Sequence, residues 1–305
     1  MTNRALVIGE ALIDIVQRDG RVLGEHVGGS PLNVAIGLGR LGRDVDFLTH
    51  VADDERGRRI VEHVEASGVR LVPGSVTAER TPTAEARLDD TGAAQYTFDI
   101  DWRLSGTPEV APPLTVHTGS IAGFLDPGCL ATAALLDAYR LSATVTYDPN
   151  VRPALIEDHD QAVNRIERLV EKADVVKASD EDLRWIDPTR TPEQVATAWQ
   201  SLGPSIVAVT MGGDGAFAIS AAGTVRVAAR KVDVVDTVGA GDSFMTGLVD
   251  ALWSLDLLGG DKRADLKRID DDALTGVLSH AVLASALTVS KAGADLPDRA
   301  ALQMG

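Results

Sequence analysis

Asp242 stands at the end of the run Asp236-Thr237-Val238-Gly239-Ala240-Gly241-Asp242, the stretch of this sequence richest in groups with a chemical use. Gly239, Ala240 and Gly241 are small enough for a backbone to approach a ligand closely. An apolar strand-like run, Val232–Val235, precedes them and an apolar helix, Phe244–Leu252, follows. Their N–H groups therefore fall at a helix N-terminus, where exposed donors and the helix dipole favour anions. A carboxylate beside an anion site is unfavourable unless it has a task. The task that fits is to accept the proton of a hydroxyl attacking a phosphate. The plainer alternative is an Asp that caps the helix after a Gly-rich turn. GxxxxGK[ST] occurs nowhere, so this is not a Walker loop.

A second cluster is Gly28-Gly29-Ser30-Pro31-Leu32-Asn33. Two glycines precede a helix with Pro at its start. Asn33 falls in the first turn, and its amide offers both donors and an acceptor, which suits sugar hydroxyls. The alternative is a glycine hinge before a helix with a solvent-facing Asn.

The elements that must position these residues alternate. Strand-like runs are Arg4–Ile8, Val45–Thr49, Leu114–Thr118, Thr144–Tyr147, Asp174–Lys177 and Ile206–Thr210. Helix-like runs are Pro31–Leu41, Asp54–Ser67, Pro127–Arg140, Asp160–Lys172, Gly241–Leu252 and Ala273–Ser290. Such alternation predicts an α/β fold with a mostly parallel sheet covered on both faces. Two segments break the rhythm. Residues 12–28 turn at Asp19-Gly20, and residues 83–102 alternate apolar and polar around Asp90-Thr91-Gly92. Both read as β-hairpins, and together they predict a small sheet apart from the main one, the plainer alternative being two ordinary surface hairpins. Ser254–Asp272 reads as a polar surface connection. No repeat or low-complexity linker divides the chain, so residues 1–305 read as one domain with the hairpins inserted.

Composition narrows the function classes. The chain has 305 residues, 45% hydrophobic and 24% charged, which describes a folded globular protein. Asp and Glu number 45 against 29 Lys and Arg, a formal net charge of −16. That surface repels phosphate backbones and anionic lipid, so neither nucleic acid nor membrane is an expected partner. Cys129 is the only cysteine, and the six histidines lack metal-ligand spacing. The N-terminal apolar run is interrupted by Glu10 and Asp14 and reads as neither signal peptide nor membrane span. The expected location is the cytoplasm.

The order GExxxD, GGSPLN, DPNVR, TMGGDG, DTVGAGD resembles the signature segments of the ribokinase-like, or PfkB-type, carbohydrate kinases over the whole chain. GEALID, GGSPLN and YDPNVRP look most like the fructokinase branch. The resemblance implies a three-layer α/β sandwich with a mostly parallel central sheet, and a small β-sheet lid built from residues 12–28 and 83–102. It implies Asp242 as the base, Gly239, Ala240 and Gly241 as the anion hole, and Asp14, Gly28, Gly29 and Asn33 as the sugar floor. Asp148, Asn150 and Arg152 follow a strand end, where ligands bind in open α/β sheets. Arg152 then stabilises phosphate charge, or else forms a structural ion pair with an acidic neighbour. Lys177, Ser179, Thr210, Gly212 and Gly215 fall on the nucleotide side, although Thr210–Gly215 also fits a plain hairpin turn.

The implied cofactors are ATP, Mg²⁺ and K⁺. Family members often carry NxxE near the Mg²⁺, whereas this chain has Ser179 and Asp182 in those places. Asp236 and the Val238 carbonyl fit the family's K⁺ position, with Gly293 a further candidate. His280 is expected to be a solvated helix residue rather than an adenine contact. The activity implied is phosphoryl transfer from ATP to a sugar hydroxyl, with fructose as the leading acceptor. Ribose, 2-keto-3-deoxygluconate and a nucleoside are the alternatives. A catalytically silent sugar-binding regulator conflicts with the complete GAGD loop, and a Rossmann dehydrogenase conflicts with the opening VIGEAL. Val22, Leu23, Tyr96 and Phe98 on the hairpins predict a homodimer joined through the lids.

Overall fold

Ala5–Ile8, the apolar part of the first strand, is buried on both faces, as a strand between two helical layers must be. The computed structural model describes residues 3–88, 94–104 and 108–304. After Arg4–Ile8 (β1) the chain leaves the core as a hairpin, Leu12–Arg18 (β2) and Arg21–Gly28 (β3). It returns through Ser30–Arg40 (α1), Asp44–Leu48 (β4), Glu55–Ala66 (α2) and Val69–Leu71 (β5). A second excursion is Thr83–Leu88 (β6) and Ala94–Asp99 (β7). Strands and helices then alternate: Thr115–Gly119 (β8), Gly128–Tyr139 (α3), Thr144–Asp148 (β9), His159–Lys172 (α4), Val175–Ser179 (β10), Asp180–Ile186 (α5), Pro192–Leu202 (α6) and Ile206–Thr210 (β11). Ala216–Ser220 (β12) and Thr224–Val227 (β13) follow. Last come Ala240–Ser254 (α7), Arg263–Leu266 (α8), Asp271–Val289 (α9) and Arg299–Met304 (α10).

The main sheet has the order β13-β12-β11-β10-β9-β8-β1-β4-β5. Every neighbouring pair from β11 to β5 is parallel, and β12 and β13 add on antiparallel. Alternate residues feed the two cores by the period of two. Ala5 and Val7 join one core with α1, α2, α7 and α9, whereas Leu6 and Ile8 join the other with α3, α4, α5 and α6. Helix starts are set by side-chain caps. Asp54, Asp158 and Asp270 each accept an N–H three residues on, and Thr191 forms a capping box with Gln194.

The two hairpins pair into a separate sheet, β3-β2-β6-β7, in which β2 runs antiparallel to β3 and parallel to β6. Asp19 and Gly20 both have positive φ, 51° and 71°, as the tight turn requires. The expected turn at Asp90-Thr91-Gly92 and the side chain of Tyr96 lie outside the described residues. β3 is an edge strand, and its Val22 and Leu23 are more than half exposed.

Two expectations need correction. Ser254–Asp272 does connect two helices, α7 and α9, but it is not wholly a surface segment, since Leu258, Leu266 and Ile269 are buried. It contains α8, and Arg263 donates to Asp174 Oδ1 at 2.7 Å and to the Ala143 carbonyl at 2.6 Å, tying the segment to the sheet. His280 is not simply solvated. Its Nε2 lies 3.0 Å from the fully buried Asp250, which also accepts from Arg43 and Arg299. A buried carboxylate requires such partners, and here they link α1's exit, α7, α9 and α10. Among the described residues one helix, α9, is long and apolar enough to cross a membrane, yet its Leu274, Val277, Leu278 and Ala281 are packed in the protein core.

Candidate active site

Two helix N-termini meet where β1 and its neighbours end, and Asp242 lies between them. Gly239 caps α7 in the left-handed conformation (φ 77°), and a Cβ there would lie 2.7 Å from the Ala294 Cβ. Only glycine takes that backbone without strain. Asp242 sits in the first turn that follows, 7% exposed. Its carboxylate does not cap its own helix. It turns instead to α1, where Ser30 Oγ donates to Oδ1 at 2.6 Å and Asn33 Nδ2 donates to Oδ2 at 2.7 Å. The plain N-cap alternative for Asp242 is thereby removed, because no side chain caps α7.

Asn33 therefore holds Asp242. Ser30 was not among the expected site residues. The signal for it was its place after Gly28-Gly29 and before Pro31, where the first helical turn brings its hydroxyl beside Asn33. The glycine pair has two separate steric causes. A Cβ on Gly28 would fall 2.0 Å from Asp14 Oδ2, and one on Gly29 (φ 119°) would fall 2.5 Å from the Glu10 carbonyl oxygen. Gly28 thus leaves room for the Asp14 carboxylate. Burial raises Asp14 to about 6, with Arg152 and His26 pulling it back down.

Beneath the GAGD loop lies an ion pair. Lys177 Nζ donates to Asp148 Oδ2 at 2.8 Å, and both side chains are buried. A Cβ on Gly241 would fall 2.8 Å from Lys177 Nζ, so the ammonium is immediately below the helix start. Burial raises Asp148 to about 6 against the attraction of Lys177, while Asp182 and Asp242 push it further up. Asp148 is fully buried and also accepts the Asn150 N–H at 3.1 Å. Neither partner of this pair offers an open face to sugar or nucleotide; they support the site from below.

Asn150 has a positive φ of 36° and directs the chain to Arg152. Arg152 Nη1 donates to the Asn150 carbonyl, the Asn150 Oδ1 and the Val151 carbonyl. The structural ion pair considered for Arg152 is not found among the described residues.

Ser179 and Asp182 form the capping box of α5, and Asp182 Oδ1 also accepts the Val151 N–H at 2.8 Å. Both Asp182 oxygens are occupied by protein donors, which weakens it as a direct metal ligand. Thr210 ends β11 beside Ser179 of β10. The following turn is a 3₁₀ segment, Gly212–Asp214, between antiparallel β11 and β12. Gly212 faces open space, whereas a Cβ on Gly215 would meet the Val227 carbonyl at 2.2 Å, so Gly215 is also required by packing.

Asp236 Oδ1 accepts the Val238 N–H at 3.0 Å, and Oδ2 accepts the Gly293 N–H at 2.9 Å. These backbone donors hold its carboxyl below the usual carboxylate range. The structure brings the Asp236 carboxylate together with the N–H groups of Val238 and Gly293, just ahead of the start of α7. Among the described residues no group of three or more His, Cys, Asp and Glu side chains forms a metal cage.

Comparison with known proteins gives this arrangement its context. The model of the pfkB family carbohydrate kinases matches residues 2–300. A fructokinase of Rhizobium leguminosarum bv. trifolii is 36% identical over 282 residues, covering 88% of this chain and 85% of that protein. A fructokinase of Klebsiella pneumoniae is 34% identical, covering 83% and 85%. A crystal structure of a fructokinase double mutant from Vibrio cholerae O395, with fructose, ADP and potassium ion bound, superimposes with a TM-score of 0.82 at 26% identity, covering 99% of this chain and 97% of that one. The match runs through both sheets and through the paired helix starts that enclose Asp242, and the chain belongs to the pfkB family of carbohydrate kinases.

Proposed function

We propose that the protein is an ATP-dependent fructokinase. The observation that carries this reading is the seating of Asp242, held on both oxygens by Ser30 and Asn33 at the mouth of an anion-binding helix start. Fructose is the acceptor because the relatives at 36% and 34% identity are fructokinases.

In this mechanism a fructose hydroxyl attacks the γ-phosphorus of ATP in line. The new O–P bond forms as the bond from phosphorus to the β-bridging oxygen breaks, and ADP leaves. Asp242 takes the hydroxyl proton. Each carboxylate oxygen has lone pairs beyond the one used by Ser30 or Asn33, so it can still accept. The first N–H groups of α7 lack intrahelical partners and face the transferring phosphoryl oxygens. Lys177, below Gly241, adds positive charge. Asp14 accepts sugar hydroxyls, and Arg152 approaches the phosphate side. Asp182, with both oxygens occupied, fits a contact through water rather than direct coordination. Mg²⁺ carried on the ATP phosphates would supply charge neutralisation. The carboxylate and carbonyl donors around Asp236 and Val238 are hard oxygens, the chemistry that suits K⁺.

We also assign the four-stranded sheet the role of a lid, with the exposed Val22 and Leu23 on its free edge joining two copies into a homodimer. Light scattering at micromolar concentration should give twice the chain mass; a monomer rejects it. The cytoplasm, where ATP is made available, is the assigned location, and the buried free thiol of Cys129 fits that assignment. The deciding experiment is a coupled ADP-release assay over a sugar panel. Fructose should give the highest kcat/KM. Preference for ribose, a keto acid or a nucleoside would move the protein to another branch of the family.

A further inference from the structure

Glu10 is used by none of the steps above, although it is one of the most deeply buried charged residues, 3% exposed. It follows β1 directly, at the end of the sheet where Asn150 and Arg152 also emerge. Its Oε2 has no hydrogen-bond partner among the described residues. A buried carboxyl oxygen without a partner is costly, and such groups persist where they are used. Ser120, whose hydroxyl faces the Glu10 carboxyl, is held at a positive φ of 52°. Strained non-glycine residues of this kind mark sites that the surrounding structure over-determines. The charges that face Glu10 are the Arg152 guanidinium and the Asp242 carboxylate. Among the described residues Arg152 for its part bonds through Nη1, to oxygens of Asn150 and Val151.

We propose that Glu10 is a positioning residue for Arg152: its unpartnered carboxyl oxygen steers the part of the guanidinium that Asn150 and Val151 leave unbonded toward the phosphate beside Asp242. The inference rests on the kinase reading above. A guanidinium anchored on one nitrogen swings; a buried opposite charge nearby biases its direction. Asp242 is oriented by Ser30 and Asn33 of α1 and is assigned to the hydroxyl proton instead. Asp14 also acts on Arg152 by charge, but it lies on the lid strand β2 and is set by Gly28.

Charge makes the device sensitive to pH. Burial raises Glu10 to about 7, opposed by its own backbone N–H, Ser120 and Arg152, and reinforced by Asp242. Above that pH the carboxylate attracts Arg152, and below it the proton releases the guanidinium. Asp14 and Asp148 titrate lower, at about 6, so the Glu10 contribution is read as the difference between wild type and Glu10→Gln.

The test is a double-mutant cycle in the ADP-release assay with fructose. Glu10→Gln should lower kcat about tenfold, within the range of electrostatically coupled residues, while both KM values move less than about twofold. In an Arg152→Gln background the same change should have almost no effect. The acid limb of kcat near pH 7 should be missing from Glu10→Gln. Losses that multiply independently overturn the proposal. So does a loss confined to the fructose KM, which would make Glu10 a direct sugar contact. If Glu10→Gln does not fold, the pH profile of Arg152→Gln decides: disappearance of the limb near pH 7 supports the proposal and its retention overturns it. A wild-type protein inactive on fructose would refute the fructokinase reading alone, and the cycle is then run on the sugar it does phosphorylate.

Discussion

Ser30 Oγ lies 2.6 Å from Asp242 Oδ1, although the two residues are 212 positions apart in the chain. The contact joins the N-terminus of α1 to that of α7 and fixes the direction of the carboxylate that would take the sugar's proton. It also ties the segment that follows Gly28-Gly29 to the first turn of α7.

Replacing Asp242 with Asn keeps its size but removes the proton acceptor. Loss of a general base lowers rates by about 10²–10⁴-fold. Fructose and ATP affinities should stay near wild type, and the fold should survive because Asp242 does not cap α7. Stopped-turnover kinetics and calorimetric binding check both halves. A variant keeping more than about a tenth of wild-type kcat lies outside that range and defeats the base assignment.

Ser30→Ala leaves Asp242 with Asn33 as its one side-chain donor. A hydrogen bond to a charged group contributes about 1.5–3 kcal/mol, and its loss here should appear in kcat, by roughly tenfold or more. The KM for ATP should hardly move. An unchanged kcat would show that Asn33 alone orients the carboxylate.

Asp14 is raised to about 6 by burial, above its unfolded value. Its ionisation therefore opposes folding: the stabilising contribution is complete below the unfolded pKa, near 4, and is lost as pH rises through 6. Asp14→Asn should raise Tm relative to wild type at pH 7 and give no gain at pH 4. The carboxylate needed by the sugar forms over the same interval, so the wild-type fructose KM should fall from pH 5 to pH 7 and that of Asp14→Asn should not. A parallel shift in the ATP KM would place Asp14 elsewhere.

Lys177→Met strands Asp148, which is fully buried. Removing one partner of a buried ion pair costs about 3–5 kcal/mol. Denaturant titration should show that loss at pH 7. It should shrink as pH falls below about 6, where Asp148 takes up a proton. A loss that does not vary with pH would mean that Asp148 is not ionised in the folded protein.

At fixed Mg²⁺, K⁺ should raise kcat above the value in Na⁺, because Asp236 fixes the backbone of Val238 and Gly293 just ahead of the start of α7. Asp236→Ala should abolish the difference. Equal rates in both salts from 1 to 100 mM, roughly the range over which monovalent screening changes, would remove the cation from this site.

Strand–helix alternation and the glycine-marked loops were readable along the chain because each depends on local spacing. β1 and β11 fall at the bounds expected from their apolar runs, and α1 starts within a residue of its Pro signal. The hairpin at Asp19-Gly20 was equally local. Asp242 stood out for the same reason, as a carboxylate beside glycines at a helix start.

What stayed hidden involved partners distant in sequence. His280 looked like a surface residue, yet it faces Asp250, 30 positions away, together with Arg43 and Arg299. Asp148 looked like an open ligand at a strand end, yet Lys177 closes over it. Asp182 looked like a metal group, yet it caps α5 and binds the Val151 N–H. Periodicity and turn chemistry report which way a residue faces its own element. The sequence by itself determined the alternating fold and the loop that holds Asp242. Only the tertiary structure decided which buried charge meets which partner, because a carboxylate's role depends on the donors and the dielectric around it, and these are supplied by segments brought together in folding.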